Sequence, residues 1–510
     1  MIWIPQARWR WWPMLAKHRD FTFTSRSFFV QDVAFAGPWT GPVLWEAAQA
    51  LGPEGFLEVD LGGEEVAMRM GLCVTGGRVT VRNGTLTAEK GLRGPLVLAD
   101  GKGTRVTFVD LWLRGGGMEL NRASLRMEGG GVERGGITCQ GAERVEVERA
   151  SVTGAWGPGM SIGTVGGATV RDCTVAGCSG EGLQFTAGSV TVEGVKIREC
   201  ESGIVATGGG RLVVRGGRID ECRQDGVEMQ SGAVELHDTA VASCVGAGVR
   251  ARSGAQAMVR GGRIEGCKEA GVACVGGKAE VEGAAIEGCG DGVVVEGSNA
   301  SASVRNGRIA KATGHGVRCA KGGKVEADGV AISECKVGGV FGEGEGSAVL
   351  VRGGTVSAAE GPGVFSGPGA KVEVEGAAIE DCRTGVHVEG GKPAEGEAAV
   401  RNVRLMRCRG SGVLCVGGGV VKVEHCDVDG CGGRGVWVSH DKSVATVRGG
   451  RIARCVWGGA ACGDKGALTM EGVEVVECVG PGVEQKKGGI LAKRDVMLSF
   501  CKVKCDGNWM

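Results

Sequence analysis

Tyrosine is absent from the 510 residues, and phenylalanine and tryptophan number only 11 each. Aromatic rings are scarce enough that several of them on one face carry information. No 3.6-residue periodicity runs through the body of the chain, and no apolar run reaches the ~18 residues of a membrane span. Net charge is missing too. Lys+Arg and Asp+Glu both total 59, so the electrostatic footprint of a nucleic-acid binder is not present. The 99 glycines show no Gly-X-Y period, which excludes collagen, and frequent Val and Ile argue against disorder. The 22 cysteines are too dilute for a small disulfide scaffold and lack zinc-site spacing. No cofactor is implied. The basic, Trp-rich start, MIWIPQARWRWWPMLAKHRDF, lacks the continuous apolar core of a secretory signal. Organellar targeting is the other reading of that segment; a long run of free thiols fits a reducing, cytoplasmic setting.

What is present is a repeat. VVRGGRIDEC (213–222) returns as MVRGGRIEGC (258–267), SVRNGRIAKA (303–312) and TVRGGRIARC (446–455). Aligned on the aliphatic residue of "GGRI", the copies run from Leu86 to Leu498, mostly in steps of 22 to 24 residues; the stretch between Leu113 and Val152 is irregular and is expected to carry a distorted or short extra rung. Each copy reads as three short strands. The first alternates apolar and polar, as in Leu212-Val213-Val214-Arg215, with a period of two. Gly216, Asp238, Gly261, Asn306 and Asn402 follow it, residue types that tolerate a left-handed bend. The second strand turns Ile219 and Cys222 inward, and a Gly-Val pair (Gly226-Val227, Gly248-Val249) opens the third. Such a unit cannot bury its own apolar face. Stacked on identical neighbours it can, as parallel in-register sheets around a narrow core.

The expected fold is therefore all-β, a single-stranded right-handed parallel β-helix of about 18 rungs. The repeat resembles those of the pectate-lyase-like superfamily, and the resemblance covers about residues 55–505. Residues 1–40 form a basic segment of their own; residues 41–65 hold a cap, and 66–510 the β-helix. Within the cap, PVLWEAAQALGP (42–53) predicts a short amphipathic helix with Val43, Leu44, Ala47, Ala48 and Leu51 on one face. No cap is evident at the C-terminal rung, which leaves end-to-end association open.

The outward residue before the first bend alternates in sign: Glu148, Arg171, Glu193, Arg215, then His237, and onward from Arg260 and Glu282 to Glu471 and Arg494. Opposite charges one rung apart attract by roughly 0.2–1 kcal/mol each, and a one-rung slip would stack like charges. The column reads as a register device, with His237 a neutral filler.

Two groups of residues are candidates for function, both on the strand after Gly-Val. Its outward column places Phe341, Phe365, His387, Leu414 and Trp437 on five consecutive rungs. Such an apolar groove suits stacking on sugar rings or docking a protein segment, unless residues 1–40 cover it. The second group rests on the resemblance. Polygalacturonase-like members of the superfamily carry Asp residues and a Gly-His-Gly on successive rungs of this face, and hydrolyse or cleave uronate polymers. GHGV (314–317), GDGV (290–293) and QDGV (224–227) match in part, making Asp225, Asp291, His315 and Arg318 the catalytic candidates. The adjacent Asp pair of that family is missing, the calcium and Arg cluster of lyases is absent, and an alginate-epimerase-like site would normally include tyrosine, which this chain lacks. VEHCDVDGC (423–431) holds Cys426, Asp427, Asp429 and Cys431, but Cys431 falls in the core column and strand alternation scatters the rest; no metal site is expected. The leading expectation is a non-catalytic scaffold that binds a protein segment or carbohydrate; the alternative is a polysaccharide hydrolase or lyase.

Overall fold

The computed structural model describes residues 40–49, 51–391 and 396–501, with the backbone of short strands inside 1–39 and 502–510. They form two compact units, Met1–Val245 and Gly246–Met510. Each unit is a parallel β-helix, and together they hold about nineteen third strands. Among the described residues no helix is long and apolar enough to cross a membrane.

The first unit opens with helix α1, Gly41–Gln49. Leu44, Ala47 and Ala48 are buried, Leu51 follows at 8% exposure, and Val43 lies half-buried at the margin of the same face. The helix lies close on the strand Glu65–Met68, where a Cβ at Gly41 would stand 2.6 Å from the Ala67 carbonyl oxygen. Thr40 starts it by accepting hydrogen bonds from the Val43 and Leu44 N–H groups. Short strands Phe21–Thr24, Ser27–Val30 and Val33–Ala36 pair antiparallel in sequence, and the first also runs parallel to Phe56–Asp60. The edge strand of the β-helix thus has a partner at this end.

A rung follows the pattern of VVRGGRIDEC. Strands Arg211–Arg215, Arg218–Asp220 and Val227–Met229 pair in parallel register with their counterparts in the preceding rung, Leu212 on Val190, Ile219 on Ile197 and Val227 on Ile204. The irregular stretch between Leu113 and Val152 is a complete rung built from Ser124–Glu128, Gly131–Glu133 and Ile137–Ala142. Val132 takes the aliphatic position, paired with Leu113 on one side and Val152 on the other. That rung adds Glu128 to the charge column directly against Glu148. Arg149 answers both, at 2.6 and 2.7 Å.

Elsewhere in the column Glu193 lies 2.7 Å from Arg171 and 3.7 Å from Arg215, and Glu424 lies 2.9 Å from Arg401. Arg352 instead turns to Glu326 of the preceding rung, at 2.6 Å. His237 sits 3.5 Å from Glu235 on its own strand. The arginines of these pairs are about half exposed, so the column contributes to register far more than to stability.

The bends behave as their residues require. Gly216, Asp238, Gly261, Asn306 and Asn402 all have φ between +48° and +62°. A second left-handed position follows the second strand and is occupied by charged residues such as Glu221, Lys311 and Glu334, with φ of 54–56°. From Val175 onward a buried cysteine follows in most rungs, with Ala312 and Ala359 in its place in two, and its thiol donates to the carbonyl two residues earlier, as Cys200 does to Arg198 (3.3 Å) and Cys382 to Glu380 (3.3 Å). Burial pushes the Cys335 and Cys382 thiols up to about 11, which keeps them protonated and inert.

Asn306 supplies a direct test of the bend. Replacing it by Val, at φ +49°, is expected to destabilise the second unit by about 1–2 kcal/mol, because a β-branched side chain is strained in the left-handed region. Asn306→Gly should remain close to wild type. Urea denaturation of both variants checks this; equal stability of the two would contradict the assignment.

Candidate functional site

Third strands carry both groups of candidates. In the second unit one outward column reads Arg318, Phe341, Phe365, His387, Leu414 and Trp437, each paired in register with the next. A neighbouring column, two residues before the buried Val, reads Ala270, Asp291, His315, Gly338, Pro362 and Thr384. Glycine precedes that Val because the next rung's aliphatic residue packs there: a Cβ at Gly316 would come within 2.4 Å of Ile332 Cγ2.

The aromatic residues form a ladder. The His315 and Phe341 rings lie 4.4 Å apart, Phe341 and Phe365 stack at 4.9 Å with planes 8° apart, and His387 meets Phe365 edge-on at 5.1 Å. Leu414 continues the column, and Trp437 ends it with the Arg434 guanidinium 4.8 Å and the Lys486 ammonium 5.4 Å from its ring centre. All five groove residues are half-buried. The stack engages the ring faces of Phe341 and Phe365, so these residues offer ring edges to solvent; a platform of open faces for sugar stacking is not what they make. Trp437 leans over the next rung, where Ala461 is fully covered and a Cβ at Gly463 would lie 3.2 Å from the indole. His387 Nε2 is buried without a hydrogen-bond partner. Burial holds the imidazole below its ordinary value, opposed by Glu389 and assisted by Arg383, so the ring is neutral at pH 7.

Of the catalytic candidates, the structure brings Asp291 and His315 together. The His315 backbone N–H donates to Asp291 Oδ1 at 2.6 Å, and the ring Nδ1 lies 3.4 Å from the same oxygen. Burial would raise the Asp291 carboxyl, but hydrogen bonds from the His315 ring and backbone, with the charges of His315 and Arg318, leave it lower than usual. Asp291 is therefore an ionised turn fastener. Gly314 follows from the same contact, since a Cβ there would stand 2.2 Å from Asp291 Oδ1. Arg318 turns to Glu296 at 3.0 Å, which also holds Lys321 at 2.7 Å. Asp225 belongs to the first unit, 4% exposed, its carbonyl accepting the Gly203 N–H at 3.0 Å. A glycosidase acid needs a carboxyl with a raised pKa beside a second carboxylate. Around Asp291 the carboxylates Glu269 and Glu296 are each paired with arginine, Arg250 and Arg318.

One charged cluster was not singled out from the sequence. Arg434, in the column of Asp291 and His315, lies 2.6 Å from Glu484 two rungs on, and both are well buried for charged groups, at 13% and 24% exposure. RGVW (434–437) repeats the GHGV position with Arg for His, which is the signal that could have found it. The cysteine–aspartate run is dispersed: Cys426 and Cys431 are buried, and Asp429 pairs with Arg454. Among the described residues no three His, Cys, Asp or Glu side chains converge as a metal site would need. Most of the Trp-rich segment 1–40, expected as a possible cover for the groove, lies outside the described residues.

The family model for the right-handed β-helix region matches residues 135–286, 276–396 and 338–495, and the chain belongs to that family. Among solved structures it is similar to the Agl-KA catalytic domain (10% identity over 82% of this chain, TM-score 0.28), of which it spans 62%. It is also similar to the A-module of the mannuronan C-5 epimerase AlgE6 from Azotobacter vinelandii (15% identity, 74% of this chain and 91% of that one, TM-score 0.27). A third is the catalytic unit of the GH87 alpha-1,3-glucanase from Streptomyces thermodiastaticus (12% identity, 92% and 67% covered, TM-score 0.17). None of these likenesses bears on the chemistry of this chain. No curated protein matches the sequence significantly.

Asp291→Asn tests the fastener. At pH 7 the variant is expected to lose about 1–2 kcal/mol of stability with the charge-assisted bonds. Because the folded carboxyl titrates below its unfolded value near ~3.9, that contribution is present above this value and fades as pH falls through the folded one. The gap between wild type and variant in urea melts should narrow as the solution is acidified below ~3.9; a gap independent of pH would contradict the assignment. His387 acts in the same direction. Its folded value is depressed, so its contribution is full above ~6.5 and is lost as the solution is acidified. His387→Phe should flatten the decline in stability between about pH 7 and 5; an unchanged decline would show that other groups cause it.

Proposed function

We propose that the chain is a non-catalytic β-helix scaffold that binds a carbohydrate chain along the third-strand face of its second unit. The observation that carries this reading is the run of five consecutive rungs with Phe341, Phe365, His387, Leu414 and Trp437 in one half-buried column. At about 4.8 Å per rung the strip is roughly 19 Å long. Charged clusters end it on both sides, Asp291, His315, Arg318 and Glu296 at one and Arg434, Glu484 and Lys486 at the other. These supply donors and acceptors for hydroxyl groups, while the ring edges and Leu414 form an apolar wall for C–H surfaces.

A protein segment fits the strip less well. The third strands already bond to the rungs above and below, so a peptide laid across them finds no free strand edge for its backbone. A sugar chain has no such backbone requirement. The second reading, a polysaccharide hydrolase acting through Asp291 and His315, draws on the contact between those two residues. Against it stand the depressed Asp291 carboxyl and the arginine-paired carboxylates around it.

Affinity electrophoresis in gels containing laminarin, alginate or polygalacturonate tests the proposal. Retardation by at least one polymer is expected, weakened at least tenfold by Trp437→Ala and Phe365→Ala, with no reducing ends or unsaturated product released. Turnover of any of these polymers that His315→Ala abolishes would establish the enzyme reading instead. Retardation that neither groove substitution alters would remove the groove from the binding site.

A further inference from the structure

The first-strand face of the second unit carries a pattern that neither register nor the groove explains. Of its three outward columns, one is the alternating arginine–glutamate column; the two farthest from the first bend, two residues apart on each strand, bear opposite charges on every second rung. Lys278, Lys324 and Lys371 stand in one, with Glu280, Glu326 and Glu373 beside them in the other. The rungs between offer small or apolar residues, Ser301 and Ser303 in one, Ala348 and Leu350 in the next. The long side chains stand as posts around a depression of about 560 Å³. Ser303 Oγ is buried in it without a hydrogen-bond partner. One rung beyond Lys371 the signs invert, with Glu397 in the lysine column and, a further rung on, Lys422 in the glutamate column.

We propose that this face is an interface between two copies of the chain, packed side by side about a two-fold axis that runs along the stack of rungs. Such an axis places the first column of one copy over the second column of the other at every rung. Lys278, Lys324 and Lys371 then meet the partner's glutamate column, and the three glutamates meet its lysines. Ala348 faces Leu350 at the centre, Ser301 faces Ser303, and Glu397 lies one rung from the inverted Lys422. No like charges oppose each other anywhere in the two columns. A surface that complements itself in this way is what a two-fold interface demands, and charge complementarity sets register and partner choice.

The charges are also paired within one copy, but loosely. Lys371 lies 3.3 Å from Glu373, with side chains 62% and 39% exposed, and Arg352 reaches Glu326 at 2.6 Å. Such hydrated pairs exchange partners at little cost. Seven rungs at about 4.8 Å and a strand length of about 17 Å give a footprint of roughly 570 Å² per copy. Standard interfaces bury roughly 800 Å² per partner, so the dimer is expected to be reversible. The interface is independent of the carbohydrate reading, because the groove lies on the third strands.

Sedimentation equilibrium of the full chain tests it with a charge swap. Wild type should approach twice the monomer mass as concentration rises into the hundreds of micromolar. The variant carrying Lys278→Glu and Lys371→Glu sets acid against acid, and the variant carrying Glu280→Lys and Glu373→Lys sets base against base. Each alone should be monomeric at every concentration, with circular dichroism and melting unchanged, while an equimolar mixture should dimerise. A wild type that stays monomeric, a single variant that still dimerises, or a mixture that does not recover would each overturn the proposal.

Discussion

Every residue in these β-helices has its counterpart about 4.8 Å above and below it, and the rest of the structure answers to that spacing. In-register parallel stacking turns each sequence position into a column. A side chain is tolerable only if a copy of itself, or something complementary, can stand one rung away. Aliphatic residues satisfy this by packing, and cysteine by being small and donating to a nearby carbonyl. Charges satisfy it only by alternating, which is why Arg and Glu take turns. Where alternation fails, at Glu128 and Glu148, Arg149 is recruited from the bend to separate the two carboxylates.

The same spacing governs the aromatic column. Planar rings one rung apart stack on one another, as Phe341 and Phe365 do, so a ladder built by repetition presents edges rather than faces. The groove is therefore an apolar wall whose polar chemistry sits at its two ends. Asp291 and His315 are tied to each other by the requirement that one Gly-rich turn fasten the next. A carboxylate stabilised in its ionised form is suited to holding a turn and unsuited to giving up a proton.

Much of this was legible because repetition multiplies weak signals. Asn306 and Asn402 in one rung, Gly216 and Gly261 in others, mark one bend through residue types that share a tolerance for positive φ. The second bend left no such mark, because Glu221, Lys311 and Glu334 stand there, and charged residues give no hint of a left-handed backbone. The extra rung expected between Leu113 and Val152 is present at Ser124–Glu128; its bounds were hidden because Val132 lacks the Gly-Gly-Arg-Ile flanks of its neighbours. The Arg434–Glu484 pair joins residues two rungs apart, a distance that no single repeat contains.

The sequence by itself determined the rung, its three strands, the first bend and the columns, because each is a local preference repeated until it outweighs accident. Which outward residues touch was decided only by the tertiary structure. Contacts between columns depend on how far each long side chain leans along the stack, and that is set by neighbours one or two rungs away. Arg352 turning to Glu326, Trp437 lying over Ala461 and His387 Nε2 left without a hydrogen-bond partner are outcomes of that kind. A periodic pattern names the column; packing within it chooses the contact.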